Sequence, residues 1–319
     1  MMHHLQPACR ACGAVGLTPI LPAAAKPAAD RLLGAERPYQ RRFKHTVGLA
    51  LCPTCTLVQM VEVRAAIQRL QDPSADVSHA SAERDRRLAA EVIERCRLTS
   101  RSLVVQIASG DGHLLKYYKD ADVPVLGIEV EATSAVMAQR RGVPTLCQRF
   151  GLELAQRLAQ CGQPANVIHV RGVLTQVADL QHFVQSLGAL LAKDGLCLVE
   201  EPSVRDQVDR EHADSQTARY LSHFSLTALV ALFKTEAMQV CDVRYGGERG
   251  KTLHAWVRRS GTQSPAVQQM LEDEDRWGVD RLGTYQNWAN RLERIRTAVA
   301  PLNPVSFSPP VSPILGTAV

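Results

Sequence analysis

Three groups of residues in this sequence have types and spacings that can do chemistry. Cys9-Arg10-Ala11-Cys12 and Cys52-Pro53-Thr54-Cys55 are two Cys-x-x-Cys knuckles, and four thiolates presented in this way can close a tetrahedral zinc site. A four-sulfur site leaves no open coordination position, so such a metal holds its segment together and does no chemistry. Reduced, metal-free thiols are the plainer alternative. The loop between the knuckles is long, but the cost of closing a loop rises only slowly with its length. The second group is the turn Ala108-Ser109-Gly110-Asp111-Gly112 with Glu129 further on. Glycines let a backbone approach a ligand closely, and a carboxylate at the end of the next strand can bind a ribose diol. Together they point to a nucleoside-containing cofactor, against the alternative of an ordinary strand-to-helix turn with a solvated Glu. The third group is acid–base in type. Glu200 and Glu201 end an apolar run, and His212, Tyr220 and His223 follow. Their plainer roles are rim carboxylates, a solvated loop residue, a packing contact and a helix cap. Arg171 ends another apolar run and can bind a carboxylate or pair with Asp111 or Glu129.

The elements that must position these groups can be read from apolar periodicity. Leu103–Ile107 has the β-branched character of a strand buried on both faces. It turns through the glycines into a helix over Leu114–Tyr118, and Val123–Ile128 is the next strand. Upstream, Val47–Leu51 and Leu57–Val63 read as strands, Gln71–Ala80 as a polar loop and Ala82–Leu98 as a helix. Downstream the alternation continues: helix Ala132–Arg141, strand Thr145–Phe150, helix Leu152–Gln160, strand Asn166–Val170, helix Asp179–Leu191 and strand Leu196–Glu200. Such alternation predicts a doubly wound parallel sheet with its ligand outside the carboxyl ends of the strands. The polar stretch 203–222 interrupts the pattern as a lid over those ends. The helix Ser225–Phe233 and two strands, Gln239–Tyr245 and Thr252–Arg258, follow. Tyr285, Trp288, Leu292, Ile295 and Val299 then form a packing stripe, for docking within the chain or a dimer seam. Residues 301–319, Pro-rich and uncharged, are expected to be disordered.

Composition excludes several classes. With 319 residues the chain can hold two domains, and its net charge of +5 is mild, with 37 Lys and Arg scattered rather than clustered. Nucleic acid is therefore not expected as a partner. No apolar run approaches a membrane span, and the first residues lack a signal peptide's apolar core. Nine cysteines, an odd number with two close pairs, suit a reducing compartment with a metal site better than a disulfide scaffold. The expected location is cytoplasmic, as a monomer or homodimer.

In order along residues 8 to about 258, the segments CRACG, LCPTCTLVQM, SGDGHLLKYYK, LGIEV, VRGVL, KDGLCLVEEP and HFSLTAL resemble the zinc-containing sugar C-methyltransferases of antibiotic biosynthesis. The resemblance implies a class I methyltransferase-like α/β fold: a doubly wound sheet of parallel strands with a closing antiparallel hairpin, preceded by a small zinc-binding domain. The implied organisation is a zinc-binding domain over 1–80, a cofactor-binding domain over 81–262 with the lid at 203–222, C-terminal helices over 263–300 and the tail. It also implies S-adenosylmethionine as cofactor, structural Zn2+ on Cys9, Cys12, Cys52 and Cys55, and a small-molecule substrate. Ser109, Gly110, Asp111 and Gly112 would surround the methionine part, Glu129 the ribose, and the segment near Gln148 and Phe150 the adenine, with Ala108, Val130 and Arg171 also expected at the cofactor.

Methylation at carbon needs a base to unmask the nucleophile. Glu201, His212, Tyr220 and His223 are the expected catalytic set. The sequence departs from the family at several points. LQDPSADVSHAS stands where a Tyr-containing segment is usual. The family's Asn and His near the fourth strand fall on Gly172 and Gln176, and its Glu-His pair falls on Arg219-Tyr220. The resemblance further implies a second α/β domain of which this chain has only the leading helix, so the expected acceptor carries no nucleotide. A non-methylating use of the cofactor, closing a ring on its aminobutyryl chain, is the alternative.

Overall fold

The computed structural model describes residues 8–21, 48–61, 79–209, 220–246 and 252–299. Residues 71–78 of the expected polar loop, His212 with residues 210–219 of the expected lid, and the Pro-rich tail lie outside the described residues. In chain order the elements are β1 (Thr18–Leu21), β2 (Gly48–Leu51), β3 (Val58–Val61), α1 (His79–Cys96), β4 (Val104–Ile107), α2 (His113–Lys119), β5 (Val125–Glu129), α3 (Ala132–Arg140), β6 (Thr145–Cys147), α4 (Leu152–Gln160), β7 (Ala165–Arg171), α5 (Leu180–Leu190), β8 (Leu191–Pro202), α6 (Val204–Asp209), β9 (Ser222–His223), α7 (Leu226–Lys234), β10 (Gln239–Gly246), β11 (Thr252–Arg258), α8 (Pro265–Trp277) and α9 (Leu282–Val299). A short 3-10 turn occupies Leu174–Gln176.

The larger sheet has seven strands in the order β10-β11-β8-β7-β4-β5-β6. Strands β4 to β8 are mutually parallel where they pair, and β11 runs antiparallel to both β8 and β10. This is the doubly wound sheet with a closing hairpin that defines the class I methyltransferase fold. Its order reverses at β4, which has β5 on one side and β7 on the other, so the crevice lies at the carboxyl ends of β4 and β7. The strand sequences explain the layering. All four residues of β4 are buried, as a strand covered on both faces requires. One face packs Leu154, Leu187, Leu229 and Phe233 from α4, α5 and α7, and the other packs Leu88, Leu115 and Tyr118 from α1 and α2. The helices start where short polar side chains can cap them: Asp179 accepts from His182 N at α5, and Ser225 from Ala228 N at α7.

A second sheet, β1-β2-β3-β9, is antiparallel throughout, and its last strand joins Ser222, the end of the segment expected as a lid, to His223. Tyr220–Phe224 is thus a buried connector between the two sheets rather than a polar cover. The stripe on α9 packs within the chain: Tyr285, Trp288 and Leu292 join Ile20, Leu49, Leu51 and Val58 in one apolar cluster. Strand β6 stops at Cys147, short of the expected Phe150, whose ring instead packs edge-on against Phe183 with centroids 5.6 Å apart. No described helix is long and apolar enough to cross a membrane.

Candidate functional site

The turn after β4 is shaped for close approach. Ala108 has φ 55, Gly110 φ 55 and Gly112 φ 75, so three of its five residues lie in the left-handed region. At Gly112 a Cβ would sit 3.1 Å from both Ala138 Cβ and Val143 Cβ, so this turn can hug α3 only with glycine there. At Gly110 the same position meets nothing within 4 Å, which leaves open space beside the backbone. Glu129 ends β5, is 1% exposed, and closes the turn. One oxygen accepts Gly110 N at 2.8 Å, and the other accepts Val130 N at 2.8 Å and Glu131 N at 2.9 Å. Behind it, a Cβ on Gly127 would lie 2.5 Å from Ser109 Oγ, so glycine at that point of LGIE keeps the turn in place. Ser109 Oγ is buried with no hydrogen-bond partner among the described residues. Open space over Gly110, a desolvated carboxylate and an unpartnered hydroxyl fit a polar, nucleoside-bearing cofactor. Val130, beside Glu129, is 64% exposed and can flank it. Gln148 is half-buried, but Phe150 belongs to the apolar core beneath α4 and α5.

Arg171, at the end of β7, pairs with neither Asp111 nor Glu129. Its Nε donates to Glu200 at 3.1 Å and its Nη1 to Asp85 of α1 at 2.9 Å, while Asp111 pairs with Arg141 at 2.6 Å. Glu200 also faces His254 Nε2 at 3.5 Å and His169 Nδ1 at 3.9 Å. Burial, the largest single influence, raises the Glu200 carboxyl, but Arg171, His254 and His169 together outweigh it and the pKa lies below the ordinary value. His169 is held neutral, pushed down to about 4 by burial, and its Nε2 lies 2.8 Å from Tyr118 OH. This network, from α2 across β7 and β8 to β11, was not foreseen apart from Arg171 and Glu200. Its only sequence signal is polar residues inside otherwise apolar strands.

Glu201, one residue on, points to the opposite face. It is fully buried, accepts Leu174 N at 2.8 Å on one oxygen, and has no partner among the described residues for the other. Burial pushes its carboxyl up to about 8. Tyr220 and His223 lie together, their rings 5.9 Å apart, with His223 edge-on to Trp288 at 4.9 Å. His223 Nδ1 meets Gln207 Oε1 at 2.9 Å, and Ser225, not His223, caps α7. The structure therefore places Tyr220 and His223 between the small sheet and α9, and Glu201 where β8 meets the turn after β7.

The four cysteines of the knuckles converge. Their sulfurs all lie within 4.8 Å of one another, with Cys9–Cys55 at 3.5 Å and Cys12–Cys52 at 3.6 Å. A tetrahedron with Zn–S bonds of about 2.3 Å has edges of about 3.8 Å, so the donor set and its size fit zinc. The knuckles grip their surroundings. Arg10 N donates to Gln59 Oε1 at 3.1 Å, Gln181 Nε2 to Ala11 O at 3.3 Å, and Thr56 Oγ1 lies 3.1 Å from Ser225 Oγ.

Comparisons with known proteins agree with this fold. A family model described as a methyltransferase domain matches residues 81–237. C-methyltransferase NovU of Streptomyces niveus is 27% identical over 300 residues, covering 92% of this chain and 71% of NovU. Among solved structures, a S-adenosylmethionine-dependent methyltransferase from Clostridium acetobutylicum ATCC 824 is 10% identical with a TM-score of 0.46, over 59% of this chain and 94% of that one. Magnesium protoporphyrin IX methyltransferase from Synechocystis PCC 6803 is 12% identical with a TM-score of 0.42, over 61% and 87%. The functional assignment rests on the first two matches and on the sheet order, not on these distant structures. The chain is a S-adenosylmethionine-dependent transferase built on the class I methyltransferase fold.

Proposed function

We propose that this transferase methylates a carbon atom of a small acceptor in secondary metabolism, and that Cys9, Cys12, Cys52 and Cys55 hold a structural zinc ion. The similarity to C-methyltransferase NovU supports carbon as the methylated atom, and the motif resemblance supports the setting. The observation that carries the cofactor reading is Glu129, a desolvated carboxylate fixed by three backbone N–H groups beside the open space over Gly110. When bound, S-adenosylmethionine supplies an electrophilic methyl group. The chain's own work is then to position the acceptor in line and to remove a proton from its carbon.

Glu201 is the residue we assign to that proton. Its unpartnered oxygen gives it room for one, and burial sets its pKa near working pH, where a general base is most effective. Incubation with S-adenosylmethionine and a panel of enolisable carbonyl compounds should give S-adenosylhomocysteine and a product methylated at carbon, with kcat rising as pH approaches about 8. Methylthioadenosine as the sulfur-containing product would overturn methyl transfer in favour of attack on the aminobutyryl chain.

A further inference from the structure

Glu201 has a neighbour that the sequence did not single out. The segment after β8 and the segment after β9 form one parallel bridge, Ser203 with Phe224, supported by Val204 N donating to Phe224 O at 2.8 Å. Two residues back along each strand stand Glu201 and Ser222. Residues opposed in a parallel pair project to the same face, so the carboxyl and the hydroxyl share one side of the seam between the two sheets. A second contact fixes the same juxtaposition. The turn after β7 gives Leu174 N to Glu201 at 2.8 Å, and its Thr175 O takes Leu221 N at 2.7 Å.

Both side chains are completely buried, and both Glu201 Oε2 and Ser222 Oγ lack a partner among the described residues. A buried polar atom left unmade costs about 1–3 kcal/mol. Two such atoms at one seam, where the turn after β7 meets both segments, are therefore places for the polar atoms of a ligand. The Glu200–Arg171 pair on the opposite face is already satisfied.

We infer that Ser222 and Glu201 together form the acceptor's subsite, the Ser222 hydroxyl donating to an uncharged carbonyl oxygen and the Glu201 carboxylate facing the carbon beside it or accepting from an adjoining hydroxyl. This rests on the carbon-methylation reading and names a residue that reading did not include. In the step it serves, the Glu201 carboxylate takes a proton from the carbon next to the acceptor's carbonyl. The C–H electron pair becomes part of a carbon–carbon double bond, and the negative charge moves to the oxygen, where the Ser222 hydroxyl donates to it. A single ordered water would satisfy the same two atoms, so the test must separate water from acceptor.

The probe is dihydroxyacetone, the simplest ketone with a hydroxyl on each neighbouring carbon. Exchange of its α-protons is followed by proton NMR in D2O with wild-type protein saturated by S-adenosylhomocysteine. Wild type should accelerate exchange above the buffer rate. Ser222→Ala should raise the half-saturating probe concentration at least fivefold, with S-adenosylhomocysteine affinity within twofold of wild type, and Ser222→Thr should restore part of the loss. Glu201→Gln should cut the maximal exchange rate at least tenfold. If Ser222→Ala alters thermal stability but not half-saturation, the site holds water only and the inference falls, while Glu201 keeps its role. If Glu201→Gln leaves exchange intact, the base assignment itself falls. No acceleration by wild type overturns the subsite.

Discussion

Replacing Glu129 by Ala tests the cofactor half of the site, and the structure sets the size of the effect. A carboxylate has about four acceptor positions. Val130 N and Glu131 N occupy both positions of one oxygen, and Gly110 N takes one of the two on the other. One position is left, so a ribose can add one charge-assisted hydrogen bond without displacing the backbone. Such a bond contributes about 1.5–3 kcal/mol, or roughly 10- to 150-fold in affinity. Calorimetric titration of S-adenosylhomocysteine into the folded variant should therefore show at least a tenfold rise in Kd. The 2′-deoxy and 3′-deoxy analogues complete the cycle. One of them should lose the same factor on wild-type protein and little or nothing further on Glu129→Ala, because the variant has no carboxylate left to lose. An unchanged Kd, or analogues that lose affinity equally on both proteins, would refute the assignment of Glu129 to the ribose.

Two further outcomes are expected. Protein purified without chelator should contain about one zinc per chain, and Cys52→Ser should lose the metal and lower Tm; less than about half an equivalent in wild type counts against a zinc site. Stability should also depend on Glu201, whose pKa is raised from an ordinary 4.5 to about 8 in the folded chain. Between those values the folded protein keeps a proton that the unfolded chain has released, so stability is fully present below about pH 4.5, falls as pH rises, and is lost by about pH 8. The slope is at most about 1.4 kcal/mol per pH unit. Urea titrations at pH 6 and pH 8 should show that difference shrink in Glu201→Gln, and an identical pH dependence in both proteins would remove the buried carboxyl as its source.

The cofactor half was legible because it is local. The turn Ala108–Gly112 and Glu129 belong to one strand–helix–strand crossover, so their order and spacing in the chain are also their arrangement in space, and buried parallel strands declare themselves as apolar runs. The knuckles were legible for another reason, since paired thiols at fixed spacing carry their chemistry in their type. The proposed acceptor side is assembled differently. Ser222 and Glu201 come to one seam because an isolated bridge joins the chain after β8 to the chain after β9, and the turn after β7 reaches Glu201 and the backbone of Leu221. No periodicity encodes such an approach, and Tyr220–Ser222 read as the end of a polar cover because the residues before it are polar. What buries it is β3, which leaves the second knuckle after Thr56 and Leu57 and pairs Val58 with His223 and Gln59 with Ser222. The cysteine cluster and the segment proposed to face the acceptor are therefore one assembly. The contacts of the knuckles run to Gln59, Met60, Gln181 and Ser225, and none of those described here reaches the Ser109–Gly112 turn or Glu129. A metal held there would support the side of the site proposed for the acceptor, so its loss is expected to appear in Tm and acceptor handling before it appears in cofactor affinity.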